Sequence, residues 1–261
     1  MIKSVDLKDI DRAKLAAAAI AVEYIKDGMN VGLGTGSTAA WMIKCLANKI
    51  YKEGISIKAV PTSNQTAKLA LEYKIQTTTL DEVKFLDITI DGTDECDKNY
   101  NLIKGGGAAL LHEKIVAAAS NKVIIVADQM KYVDSLGSFP LPVELIKFGS
   151  SSSKECIVSI LNKLGYKNYQ INQRMNDNFT LKTDEGNFIL DLELTKIFEP
   201  LLLSRELNLV PGVVENGLFI NSCDLLILGE KGGKVSVHEP SRNMVSSRNV
   251  DLDQMFYEFK Y

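Results

Sequence analysis

Residues 29–50 read MNVGLGTGSTAAWMIKCLANKI, and this stretch decides the fold class. Its first residues form a short apolar strand, and its last form a helix that begins near Ser37 or Thr38. Between them runs Gly32-Leu33-Gly34-Thr35-Gly36-Ser37-Thr38, a turn passing straight from strand to helix. Glycines let backbone N–H groups approach an anion closely. The helix N-terminus adds partial positive charge, and the Ser37 and Thr38 hydroxyls are further donors. The turn is a phosphate cradle by physical type. It is not the dinucleotide fingerprint, because Ser37 stands where a third glycine is required, and no G-K-[ST] of a P-loop follows. A tight turn with a Ser/Thr cap is the alternative reading.

Working outward, DRAKLAAAAIAVEYIK (11–26) is an Ala-rich helix stopped by Asp27-Gly28. Downstream, the strand–turn–helix pattern recurs as ISIKAV, PTSNQT and AKLALEYK (55–74), then as FLDITI with DGTDE (85–95), and as KVIIVA with DQMK (122–131). Alternating apolar strands and helices predict a parallel α/β sheet. The polar residues fall at four successive strand ends, GTGST, PTSNQT, DGTDE and ADQMK. Ligands of open α/β sheets bind outside the carboxyl ends of the strands. Each of these ends alone is equally a helix cap.

From about Pro140 the texture changes. PLPVELIKF is read as a strand, SSSKECIVSILNKLG as a helix with a Ser cap and a Gly stop, and YQINQRM as a strand. FTLKT-DEGN-FILDLEL is read as a hairpin, FEPLLLSRELN as a helix and VVENGLFI as a last strand. That β-α-β-β-α-β order predicts a split-βαβ, ferredoxin-like unit. DLLILGE (224–230) would return to the first sheet. The expected fold class is therefore α/β: a Rossmann-like, mostly parallel sheet flanked by helices, with an inserted smaller ferredoxin-like α+β domain. The expected division is 1–136 with 223–240 for the large domain and 137–222 for the small one. Residues 241–261 are read as a C-terminal extension, loose or a partner arm.

Bulk properties restrict the function classes. The chain has 261 residues, 46% hydrophobic and 24% charged, with formal net charge -3. A core can form without metal or disulfide staples. Dispersed basic residues give no nucleic-acid surface, although a local anion pocket is compatible with them. Cys45, Cys96, Cys156 and Cys223 are far apart and form no C-x-x-C pair, against zinc and against a disulfide scaffold. There is no apolar leader with a cleavage site and no run of about 18 apolar residues. The expected location is cytoplasmic, with no membrane partner.

Asp91-Gly92-Thr93-Asp94-Glu95 puts two carboxylates on one turn at a strand end. Such a pair suits sugar hydroxyls, proton shuttling or a divalent metal, and a surface turn is the bland alternative. No histidine lies near it, since the chain's two are His112 and His238. Lys104-Gly105-Gly106-Gly107 then leads into AALLHEKIVAAAS (108–120), a helix expected to be buried. Glu113 has Ala109, Leu110, Val116 and Ala117 as its i±3 and i±4 neighbours. A carboxylate in apolar surroundings has its pKa raised towards the range of a general base. Alternatively, His112-Glu113-Lys114 is the wet edge of that helix, and periodicity leaves the two readings open. Lys14 and Lys131 could pair with a phosphate, with solvent exposure as the default for either.

In this order, GLGTGSTA, DGTDE, KGGGAALLHEKI, ADQMK and FPLPVEL resemble the type A ribose-5-phosphate isomerases, from about Lys14 to about Val235. Thr93 departs from the family's frequent D-G-A-D-E, outside the acidic pair. The resemblance implies an active site of Asp91, Asp94, Lys104 and Glu113. It implies substrate binding by Thr35, Gly36, Ser37 and Thr38, by Gly92, Thr93 and Gly105–Gly107, and by Lys131 and Lys14. It further implies a sugar-phosphate substrate, no metal and no organic cofactor, and a homodimer or homotetramer. The segment after about Pro240 lies beyond the family's usual end.

Three other readings predict other features. A deaminating isomerase of amino-sugar phosphates would carry a histidine near the acidic turn. A sugar-phosphate-sensing regulator would carry a helix-turn-helix, and the N-terminus has space for one helix. A nucleotide-dependent oxidoreductase would need the third glycine and an acidic ribose partner.

Overall fold

The computed structural model describes residues 7–252. In chain order the strands are β1 (Asn30–Leu33), β2 (Lys58–Pro61), β3 (Ile88–Gly92), β4 (Glu95–Cys96), β5 (Leu102–Ile103), β6 (Val123–Asp128), β7 (Leu141–Leu145), β8 (Gln170–Gln173), β9 (Met175–Asn176), β10 (Phe179–Thr180), β11 (Phe188–Glu193), β12 (Val213–Asn216), β13 (Leu218–Phe219), β14 (Leu225–Gly229), β15 (Lys234–Glu239) and β16 (Met244–Asn249). The helices are α1 (Asp9–Val22), α2 (Ser37–Glu53), α3 (Asn64–Glu72), α4 (Leu80–Val83), α5 (Leu110–Ala118), α6 (Ser150–Lys163) and α7 (Pro200–Asn208). Among the described residues, no helix is long and apolar enough to cross a membrane.

The chain forms two compact units. Among the described residues, the first holds those up to Gly92, Ile115–Lys131 and those from Cys223 to Leu252; the second holds Thr93–Lys114 and Tyr132–Ser222. The chain thus changes unit inside the acidic turn, between Gly92 and Thr93, and again within α5. This differs from the expected division, since Thr93–Lys114 groups with the second unit and that unit resumes at Tyr132 rather than 137. Short β4 and β5 explain the difference: they pair with each other and with β13 in a three-stranded sheet.

In the first unit a seven-stranded sheet runs β16-β15-β14-β6-β3-β1-β2. Five strands, β2-β1-β3-β6-β14, are parallel. Their buried apolar runs, such as Val123–Asp128 and Leu225–Gly229, are those of strands covered on both faces. The chain goes outward from β1 to β2 and then returns to β3 on the other side, so the direction of winding reverses between β1 and β3. The carboxyl end of that switch point is where open α/β sheets bind ligands. Gly229 of β14 allows the close approach of α1: a Cβ there would lie 1.8 Å from the Ala13 carbonyl oxygen. The core gathers Leu15, Ile20, Leu33, Met42, Leu46, Ile90, Ile124 and Ile227, all buried.

The second unit contains an antiparallel sheet, β12-β7-β11-β8, with α6 and α7. Counted within the β-α-β-β-α-β run, that order is 4-1-3-2, as the split-βαβ expectation requires. Its core packs Leu141, Val143 and Leu145 with Ile157, Leu161, Leu190, Leu203 and Leu207.

Four sequence expectations are corrected. FTLKT and FILDLEL do not pair: Phe179–Thr180 turns back on Met175–Asn176 through Asp177 at φ 52°, while β11 is taken up by β7 and β8. VVENGLFI is two strands, because Gly217 lets the chain leave β7 after Asn216 and join β5 at Leu218. The segment beyond Pro240 is not loose up to Asn249, because Met244–Asn249 pairs antiparallel with Lys234–Glu239 along its whole length. Its residues are all exposed, which hid it from a reading of hydrophobic pattern. Finally, α5 is only partly buried, with Ile115 at 48% exposure.

Candidate active site

At the switch point of the first unit, Thr35 is held by hydroxyls. Its Oγ1 donates to Ser63 Oγ at 2.8 Å; Ser63 Oγ donates to Thr66 Oγ1 at 3.0 Å; and Thr66 Oγ1 donates to the Gly34 carbonyl at 3.0 Å. Thr62 Oγ1 lies 2.8 Å from the same Thr35 oxygen. All four residues are buried, so these bonds form in a low-dielectric setting where satisfied polar networks rigidify. Asp91 at the end of β3 completes the brace. Its Oδ1 accepts the Thr35 N–H at 3.1 Å and the Gly92 N–H at 2.7 Å. Gly34 has no room for a side chain, since a Cβ would sit 2.1 Å from Asp91 Oδ1 and 2.5 Å from Asp91 Cα.

Gly36, at φ 105°, is the N-cap of α2 and needs glycine for its conformation. The first turn of that 17-residue helix carries no acidic residue, so its positive end is uncompensated from within. Ser37 is exposed there and accepts a hydrogen bond from Lys14 Nζ at 3.0 Å, while Thr38 is buried. Lys131 ends the 3₁₀ turn Gln129–Lys131 that follows β6 and is half-buried. This unit therefore brings together Lys14 with Ser37, and Thr35 with Asp91 and Gly92.

The second unit holds the other half of the predicted residues. Lys104 Nζ lies 3.3 Å from Glu113 Oε1, with side-chain exposures of 3% and 5%. The Lys104 N–H donates to the Gly217 carbonyl, and its ammonium lies 5.4 Å from the centre of the Phe219 ring. Asp94 Oδ2 accepts the Gly106 N–H at 2.8 Å, and Thr93 Oγ1 donates to the Ile103 carbonyl. Gly105 turns at φ 105° against Leu110 and Pro142.

The wet-edge reading of α5 fails for Glu113 and for the part-buried Lys114, and describes His112. His112 Nε2 meets Glu185 Oε1 at 2.8 Å at the surface. Lys114 Nζ donates to Glu215 Oε1, the Asn216 carbonyl and the Leu218 carbonyl. Burial lowers the pKa of Lys114 from the ordinary lysine value, against the opposing pull of Glu215. Three consecutive polar residues thus have three separate partners, and the middle one is the buried carboxylate.

Sequence reading missed the support of both clusters. Thr62, Ser63 and Thr66 had a signal, the S-x-x-T spacing that caps α3 with Ser63 Oγ accepting the Thr66 N–H. Arg174 had none, because an arginine in a polar strand reads as solvated surface.

An α/β enzyme acting on a small anionic substrate is the class these features define, taken unit by unit: an uncompensated helix N-terminus and hydroxyls at a switch point in the first, and a buried carboxylate–ammonium pair in the second. A family model of ribose 5-phosphate isomerase A (phosphoriboisomerase A) matches residues 58–233. The ribose-5-phosphate isomerase A of Jannaschia sp. is 50% identical over 258 residues, covering 98% of this chain and 98% of its own. That coverage takes in the segment beyond Pro240, which the resemblance had left outside. The ribose 5-phosphate isomerase of Plasmodium falciparum superposes with a TM-score of 0.81 at 32% identity, covering 93% of this chain and 100% of that one. A D-ribose-5-phosphate isomerase solved in complex with phospho-erythronic acid gives 0.78 at 38% identity, covering 92% and 99%. The chain belongs to the ribose 5-phosphate isomerase A family and has that family's isomerase activity, in the pentose phosphate pathway.

One consequence concerns the turn. Gly34→Ala must push Asp91 off Thr35, so it lowers kcat/KM and costs about 1–3 kcal/mol of stability, as overpacking does. Steady-state kinetics and urea unfolding check both, and an unchanged kcat/KM would show that the brace is irrelevant to the reaction.

Proposed function

We propose that D-ribose 5-phosphate and D-ribulose 5-phosphate interconvert through an enediolate, with Glu113 as the base. The Glu113 carboxylate takes the proton from C2 of the open-chain aldose while the C1 carbonyl oxygen gathers negative charge. The C2 hydroxyl then gives up its proton and the C1 oxygen takes one, and the same carboxylate returns the carbon-bound proton to C1 as the C2 oxygen becomes the ketone. Nothing else is gained or lost. The observation that carries this reading is the buried Lys104–Glu113 pair, because a proton carrier needs a carboxylate shielded from water and held in place. Lys104 orients that carboxylate and stabilises the developing oxyanion.

Asp94 and Asp91 contact sugar hydroxyls and assist ring opening. The Asp91 oxygen that accepts two N–H groups also keeps the glycine-rich turn in shape. Thr35–Thr38 bind the phosphate or its neighbouring hydroxyls, with Lys14 and Lys131 adding charge, and Gly92–Thr93 and Gly105–Gly107 supply backbone contacts. Phospho-erythronic acid, which a related enzyme holds, pairs a phosphate with a hydroxylated acid, in keeping with this division of labour.

Turnover in deuterium oxide tests the route. An enediolate on a carboxylate base exchanges protons with solvent, so deuterium is expected at C2 of ribose 5-phosphate recovered after many turnovers. Complete retention of protium would point to hydride transfer and sink the proposal.

A further inference from the structure

Arg174 lies between β8 and β9, where its N–H donates to the Ile189 carbonyl and its carbonyl accepts from Leu181. Its guanidinium faces two ways. Nε and Nη2 donate to the two carboxylate oxygens of Asp191 on β11, a bidentate fork that sets the plane of the group. Nη1 donates to the Gly105 carbonyl at 2.6 Å and to the Gly106 carbonyl at 3.2 Å. The N–H of Gly106 is the group that Asp94 accepts. The Lys104–Gly107 loop is therefore gripped from both sides, through its carbonyls by Arg174 and through an N–H by Asp94. Three successive glycines have no side-chain preference to keep them in place, so the loop's shape must come from such outside bonds.

We infer that Arg174, oriented by Asp191, is a positioning residue for the isomerisation, holding the glycine loop so that Asp94 and Lys104 keep their working geometry. This rests on the proposed roles of Asp94, Lys104 and Glu113. Lysine could not replace it: a single ammonium on a flexible stem cannot grip the carboxylate bidentately and two carbonyls at once.

The test uses the full-length chain and ribose 5-phosphate. Arg174→Ala is expected to lower kcat about 100-fold, the scale of a misplaced catalytic group. KM should stay within about threefold, since substrate binding is not the function removed. Methylguanidinium at non-denaturing concentration should restore kcat severalfold by filling the vacated place beside Asp191, and should leave wild type and Lys104→Met unchanged. Arg174→Lys should remain impaired. A kcat within about threefold of wild type overturns the inference, as does a loss that methylguanidinium does not relieve or that merely follows the folded fraction in urea. If Arg174→Ala does not fold, Asp191→Asn carries the test: a kcat loss at constant KM supports the role, and unchanged kcat overturns it. Glu113→Gln measured alongside separates the two levels. If it is nearly as active as wild type, the site reading itself fails; if it is inactive beside a fully active Arg174→Ala, only the positioning role fails.

Discussion

Glu113→Gln lowers kcat about 10²–10⁴-fold, the usual contribution of a positioned general base. The substitution keeps the size and planarity of the side chain and an oxygen that can still accept from Lys104. What it removes is the capacity to take and return a proton. The effect should fall on kcat and kcat/KM together, because the proton is in flight only in the transition state. The variant also leaves the Lys104 ammonium facing a neutral partner in a site 3–5% exposed, so some stability is lost as well. Circular dichroism and a cooperative melt at the assay temperature show whether the fold survives. A folded variant with near-wild-type kcat would remove Glu113 from the mechanism.

Lys104→Met should cost about 3–5 kcal/mol, the penalty for breaking a buried ion pair and leaving one charge uncompensated. The methionine fills most of the lysine's volume beside Phe219, so the loss is electrostatic rather than a cavity. Catalysis should fall with it, because nothing then orients the Glu113 carboxylate or meets the oxyanion. A double-mutant cycle with Glu113→Leu decides whether the pair acts as a unit. The double variant should be more stable than Lys104→Met alone, since removing both charges removes the orphan. Additive losses would show that the two groups are energetically independent, at odds with their 3.3 Å separation.

Much of the site was legible because its chemistry is compressed into short stretches. GLGTGST and DGTDE each follow a strand, KGGG leads into a helix, and each puts donors or carboxylates on one turn. The place of Glu113 was half legible. Its apolar neighbours at i±3 and i±4 indicated burial, but the helix has no clean polar face, so His112 and Lys114 made an exposed edge equally plausible. The hydroxyl brace of Thr62, Ser63 and Thr66 was legible as a helix cap and no more. Arg174 was not legible, because its carbonyl partners lie 68 and 69 residues away and an arginine in a strand carries no local signal. The strand Met244–Asn249 was missed for a related reason: an edge strand with both faces wet has no period of two in hydrophobicity.

By itself the sequence determined the local elements: the β-α alternation, the glycine turns, the order of the split-βαβ strands and the identity of the charged groups. Those follow from backbone preferences and hydrophobic period, which act over a few residues. Only the tertiary structure decided which group meets which. Lys104 with Glu113, Thr35 with Asp91 and Arg174 with the glycine loop are pairings made by strand order and helix packing. Buried polar groups take whatever partner the fold brings within about 3 Å. That is also why the chain's division falls inside the acidic turn, at Gly92 and Thr93, where no change in composition marks it.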